Sequence, residues 1–152
     1  MSEKQINPLL DKKVINAFVD GVKEVLTQMA GTEVTLLKPS IQERFQSSGD
    51  VAGMIGMLSG TMKGTITISF EAQAVFQIIE NMLGEKHAEV NDEVADAVGE
   101  ITNMVYGNAK TTLNKLGYGF EMAIPTVIRG PYKITSYHNG ATLVVPFEIS
   151  NG

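Results

Sequence analysis

The sequence predicts an α/β (α+β) fold with a central, mostly antiparallel sheet flanked by long helices. Three observations predict it. Residues 6–30 and 91–117 each carry apolar side chains at three- and four-residue spacing, as amphipathic helices do. Shorter stretches between and after them alternate, most cleanly TITISF at 65–70, and are separated by glycine-containing turns. TISFE at 67–71 and VVPFE at 144–148 end similar strands, each in the half that a long helix opens, which suggests a pseudo-twofold internal repeat. A chain of 152 residues fits a single domain, 1–152, with one sizeable core.

The first helix is expected over 6–30, with Asn7 as its cap and Pro8 at its first position. Leu10, Val14, Phe18, Val22, Val25 and Met29 form its stripe, and Gly31 stops it. Residues 33–47 read as extended, with Pro39 marking an edge or a break. Residues 50–62 form a glycine-rich strand, Lys63-Gly64 the turn, and 65–70 its hairpin partner. Met54, Met57 and Met62 in this region are packing residues. Residues 71–83 form a helix with Val75, Ile78, Ile79 and Met82 inward and Gly84 at its end. A loop over 85–90 leads to the second long helix, capped by Asn91 with Asp92 and Glu93 in its first turn. Strands are expected at 120–129 and 142–149, with Gly130-Pro131 opening a polar tip between them.

Composition narrows the function. Net charge is −5 with no cluster of Lys or Arg, which argues against a nucleic-acid partner. No apolar run is long enough to span a bilayer, and the N-terminus lacks the basic-then-apolar pattern of a signal peptide. The chain has no cysteine, so a cytoplasmic setting is the simpler expectation. His87 and His138 are the two histidines and lack ligand spacing to each other; His87 reads as a loop residue. No metal or cofactor of the chain's own is therefore expected. GMIGMLSG lacks the Lys and helix of a phosphate loop, and GMLSGTMKG is no nucleophile elbow.

The second long helix is the most informative stretch. Val94, Ala97, Val98, Ile101, Val105, Ala109, Thr112 and Leu116 make its core-facing stripe. Asp96, Glu100, Asn103 and Gly107 recur at spacings of four, three and four on the opposite side. Asn is a mediocre helix former and Gly costs about 1 kcal/mol relative to Ala. A helix that needed only solubility would use Glu and Lys there. A carboxamide can hold a water in line with a leaving group. Nothing beside it supplies a nucleophile or a metal. Two readings follow from the residues: a solvated helix face, or a face that completes an active site belonging to a partner. In the second, Glu100 docks on a cation of that partner and Gly107 allows close approach.

The run DAVGEITNMVYGNAKTTLNKLGY at 96–118 resembles the signature helix of the CheX and CheC chemotaxis phosphatases. Their pattern of Asp or Ser, three residues, Glu, two residues, Asn, then a later Pro falls here on Asp96, Glu100, Asn103 and Pro125. INPLL at 6–10, DVAGMIGMLSGTMKGTITISF at 50–70, IPTVI at 124–128 and VVPFE extend the resemblance over nearly the whole chain. In the first helix Asp11, Ile15 and Phe18 repeat the spacing of Asp96, Glu100 and Asn103. A single Glu/Asn pair is similar to CheX rather than CheC, which usually carries two. The resemblance implies a CheC-like fold and an enzyme that hydrolyses the aspartyl phosphate of a CheY-type response regulator. It implies that Asn103 orients the attacking water, that Glu100 pairs with the regulator's active-site Lys, and that Mg²⁺ is carried by the regulator. Asp96 and Gly107 join Glu100 as partner-binding positions. A homodimer formed through sheet edges is also implied. The chain stops soon after PFEIS, where relatives usually add a strand, so a missing or short final strand is expected. The alternative function is a binding module that captures a phosphorylated receiver domain without hydrolysing it.

Overall fold

The computed structural model describes residues 11–43, 46–60, 62–135 and 141–149. Helix α1 (Lys12–Glu24) continues into a π-helical turn at Val25–Met29. Asp11 caps it, its carboxylate accepting from the backbone N–H of Lys13 at 2.9 Å and of Val14 at 3.4 Å. The cap expected at Asn7 and Pro8 lies outside the described residues, as does Leu10. Val14, Ala17, Val25 and Leu26 are buried. Met29, expected inward, is 59% exposed. The wider π turn shifts the phase of the stripe, so Leu26 points in and Met29 out.

Three segments of the first half pair antiparallel with three of the second. Strand β1 (Val34–Leu36) pairs with β7 (Phe147–Ile149), β2 (Ser40–Glu43) with β6 (Ala141–Val144), and β3 (Gln46–Leu58) with β5 (Thr126–Thr135). The partners run in one sense throughout: Val34 faces Ile149, Ile41 faces Leu143 and Met54 faces Thr126. The two halves are thus laced along one continuous line. Pro39 and Pro146 lack a donor and interrupt it, and Leu37 N–H bridges the gap to the Pro146 carbonyl at 2.9 Å. The break expected at Pro39 is present. The single strand expected over 142–149 is divided at Pro146.

Strand β4 (Lys63–Phe70) adds to the far side of β3, giving the order β4-β3-β5. The hairpin is closed between Ser59 and Met62, by the Ser59 N–H to the Met62 carbonyl and the Met62 N–H to Ser59 Oγ. Lys63 and Gly64, expected to be the turn, lie inside β4 opposite Leu58 and Met57. Met57 and Met62 are buried, in keeping with a packing role.

Strand β5 begins at Thr126 rather than 120 and runs through Gly130-Pro131 rather than ending there. Two residues of β5 stand against one of β3 between the pairs Gly49–Tyr132 and Val51–Arg129. Gly130 has φ +85°, so the Gly-Pro pair makes a bulge within the ladder, not a turn. The tip at 136–140, with His138, lies outside the described residues.

Helix α2 (Ala72–Leu83) starts where Asp50 of β3 accepts the Ala72 N–H at 2.8 Å, and ends at Gly84 with φ +72°. Val75, Ile78 and Ile79 face the core, with Met82 packed at its edge. Helix α3 (Asp92–Lys115) is capped by Asn91, which accepts the Val94 N–H at 3.0 Å.

Helix α3 packs on both α1 and the sheet through two glycines. A side chain at Gly53 of β3 would collide with Thr102 of α3, and a Cβ at Gly21 of α1 would lie 3.2 Å from the Val105 carbonyl. The buried face of α3 comprises Val94, Ala97, Val98, Ile101, Thr102, Val105, Tyr106, Ala109 and Leu113. Thr112 is exposed and Leu116 is 58% exposed, against expectation. Toward its C-terminus the helix packs through Leu113, on the side that α1 and Phe120 cover.

Candidate active face

With Thr102 and Val105 committed to the sheet and to α1, helical geometry fixes where the rest of α3 points. Asp96, Glu100 and Asn103 are exposed, and Gly107 is partly so. All four expected site residues therefore lie on one outward stripe. Among the described residues Arg129 pairs with Asp92 of α3 and His87 Nε2 stands 3.7 Å from Glu93; Asp96 and Glu100 take part in neither contact. A Cβ at Gly107 would meet no atom within 4 Å. The chain's own packing gives no reason for glycine there.

Residues 121–129 run antiparallel along one side of this stripe. Tyr106 donates its hydroxyl to the Glu121 carbonyl at 2.6 Å. A Cβ at Gly99 would lie 3.2 Å from Val127, and Arg129 pairs with Asp92 at 2.6 Å. Pro125 is half-buried in this segment. Met122 and Ile124 are 87% and 88% exposed, large apolar side chains left in water beside an acidic and carboxamide row. Burial pushes the Tyr106 phenol above its usual range, helped by the nearby Glu121 carboxylate. Farther along, Asn114 accepts the Phe120 N–H at 2.7 Å and donates to its carbonyl at 3.0 Å, fixing the start of the same segment.

The corresponding face of α1 is spent on structure. Asp11 caps the helix and accepts the Tyr118 hydroxyl at 2.7 Å, which, with the two backbone donors, holds its carboxyl below the usual carboxylate range. Ile15 and Phe18 are half-buried, and the Phe18 ring stacks on Tyr106 with centroids 6.4 Å apart.

One cluster escaped the sequence reading. His87 lies in the 85–90 loop as expected, but its side chain is only 8% exposed, and Nε2 faces Glu85 at 3.6 Å and Glu93 at 3.7 Å. His87 has no second histidine at ligand spacing; the signal in the sequence is Glu85, His87 and Glu93 bracketing a helix start.

The sequence profile of the chemotaxis phosphatase CheX family matches residues 51–148. The chain belongs to the CheX family. It is 28% identical over 142 residues to the CheY-P phosphatase CheX of Thermotoga maritima, covering 92% of this chain and 90% of that one. The crystal structure of the chemotaxis protein CheX from Vibrio vulnificus superposes with a TM-score of 0.84 at 38% identity, over 92% of this chain and 93% of that one. The CheX of a CheX–CheY–BeF3–Mg²⁺ complex from Borrelia burgdorferi matches with a TM-score of 0.73 at 25% identity, over 91% of each chain. The α+β architecture of antiparallel sheets and flanking helices is that of these CheX proteins.

Proposed function

We propose that this chain hydrolyses the aspartyl phosphate of a CheY-type response regulator, with α3 as the face that docks on the regulator. The observation that carries the reading is the free stripe itself: Glu100 and Asn103 are exposed, one helical turn apart, beside a glycine position open to a partner's approach. The Asn103 carboxamide accepts a hydrogen from a water and holds its oxygen in line with phosphorus. Attack forms one P–O bond and breaks the bond to the aspartyl oxygen. Phosphate leaves, and the regulator recovers its free carboxylate. Glu100 pairs with a Lys of the regulator and fixes the register of docking, with Asp96 and Gly107 at the rim. Mg²⁺ belongs to the regulator, a reading supported by the Borrelia complex, which holds CheY and Mg²⁺ together with CheX. Exposed Met122 and Ile124 supply apolar contact beside the polar row, which suits a protein surface rather than a small substrate.

We also read the chain as a single domain that forms a homodimer through a sheet edge. Among the described residues β4 pairs with β3 alone, so its outer edge is available. No described helix is long and apolar enough to cross a membrane, and the proposed reaction belongs in the cytoplasm with its regulator.

The test is phosphate release from a phosphorylated CheY-type receiver with wild-type protein and with Asn103→Ala. The variant should lose on the order of 10²-fold or more in rate, as expected for loss of an orienting group. Its affinity for the phosphorylated receiver should be unchanged. Binding without any acceleration by the wild-type protein would instead identify a capture module.

A further inference from the structure

We propose that Glu85, His87 and Glu93 form a binding site for one first-row divalent cation of the Zn²⁺ class, separate from the Glu100/Asn103 pair. Each residue offers one ligand atom, and the three atoms lie within 4.8 Å of one another. His87 Nε2 is buried and has no hydrogen-bond partner, although it points at two carboxylates 3.6 and 3.7 Å away. A buried imidazole nitrogen without a hydrogen bond costs free energy, and a cation between it and the two carboxylates would engage all three. Ligands of a tetrahedral ion at about 2.0–2.1 Å stand roughly 3.4 Å apart. The two distances to His87 need to close by only a few tenths of an ångström, and the carboxylate pair, which lies within 4.8 Å, by no more than about 1.4 Å. The carboxylates are 60% and 71% exposed, so both can move that far.

The donor set selects the ion. One imidazole and two carboxylates suit Zn²⁺ and its first-row neighbours, whereas Mg²⁺ and Ca²⁺ prefer oxygen throughout. The partial positive charge at the start of α3 opposes a cation and weakens its binding modestly. The nearby Arg129 guanidinium is engaged by Asp92. Binding would clamp the 85–90 loop to the first turn of α3. Glu93 stands seven residues before Glu100, about 10 Å along the helix axis and on nearly the same line. The cation would therefore brace the end of the face on which a partner docks, without entering the chemistry.

The experiment uses untagged protein stripped with EDTA. Titration with Zn²⁺ in a calorimeter should give one equivalent, and Co²⁺ should give the visible absorption of a protein-bound ion. Zn²⁺ should raise the melting temperature of the wild type, and excess Mg²⁺ should not compete. His87→Ala and Glu93→Gln should each weaken binding by more than about tenfold, at least the loss seen when supporting residues of metal sites are removed. His138→Ala should bind as the wild type does. If His87→Ala fails to fold, Glu93→Gln, a change at an exposed side chain, decides alone. No saturable Zn²⁺ binding, or binding that Glu93→Gln leaves intact, overturns the proposal.

Discussion

The side chain of Thr102 occupies the space that any side chain at position 53 would need, so α3 can approach β3 only because Gly53 has none. Thr102 is buried, and its hydroxyl is satisfied by the Val98 carbonyl at 2.7 Å within the helix. The contact sets the rotation of α3 about its axis. With Thr102 against the sheet, Asp96, Glu100 and Asn103 must face away from it.

Gly53→Ala should therefore disturb both stability and the active face. Overpacking of a filled core costs about 1–3 kcal/mol. Here the clash is with a Cβ-branched side chain on a rigid helix, so the upper half of that range is expected. The double variant Gly53→Ala/Thr102→Ala should recover part of the loss. Denaturant titration of the two single variants and the pair gives the coupling directly; additive effects would mean that the contact does not set the helix position.

Glu100 should act through docking. Glu100→Gln or Glu100→Lys should weaken association with the phosphorylated receiver, with Lys the worse because it places like charges together. Wild-type affinity should fall as salt rises, and that slope should flatten in Glu100→Gln. Binding measured across ionic strength checks this. An affinity that ignores salt and both substitutions would remove Glu100 from the interface.

The cap of α1 predicts a pH dependence. Asp11 is depressed chiefly by the hydrogen bond from Tyr118, and Tyr118 is raised chiefly by the same bond. A depressed carboxylate contributes stability above its ordinary pKa of about 3.9, and loses it as pH falls through the lower folded value. A raised phenol contributes below its ordinary pKa of about 10, and loses it as pH rises through the higher folded value. Tyr118→Phe should thus be less stable than wild type by a constant amount from about pH 5 to pH 9, with the gap closing at both ends. Asp11→Ala should cost about 1–2 kcal/mol at neutral pH by losing the cap as well. Melting curves across pH test both; a gap that stays constant below pH 4, about the ordinary carboxylate value, would contradict the linkage.

The sequence carried the outward stripe of α3 clearly because a 24-residue helix gives its period many turns to repeat. The caps at Asn91 and Gly84 were legible for the same local reason. What misled were signals with two structural meanings. Gly130-Pro131 reads as a turn but serves as a bulge, since a left-handed glycine followed by a donor-less residue suits either. Lys63-Gly64 reads as a turn too, but Ser59 Oγ takes the Met62 N–H and closes the hairpin earlier. Leu116 and Met29 look apolar enough to bury, yet the helix end and the π turn rotate them out. The Glu85–His87–Glu93 cluster was hidden because it depends on a loop folding back over α3, which no period encodes.

Only one of the two long helices should be catalytic, and Phe18 tests that. If Asp11, Ile15 and Phe18 stand where Asp96, Glu100 and Asn103 stand in the second half, the first copy has given up its reactive pair. Phe18 is half-buried, packs against both apolar clusters and stacks on Tyr106, whose hydroxyl holds the segment beside the active face. Full burial of Phe makes truncation to Ala cost about 3–5 kcal/mol. Half burial lowers the expectation for Phe18→Ala to about 2 kcal/mol, or roughly 4–8 °C in melting temperature for a chain of this size. Phosphatase turnover of the folded fraction should stay near wild type, because Phe18 has no group that could orient water. Thermal melting, sedimentation and phosphate release on the same sample decide the matter. A variant as stable and as associated as wild type but without activity would place the site on α1 and reverse the reading of the two helices.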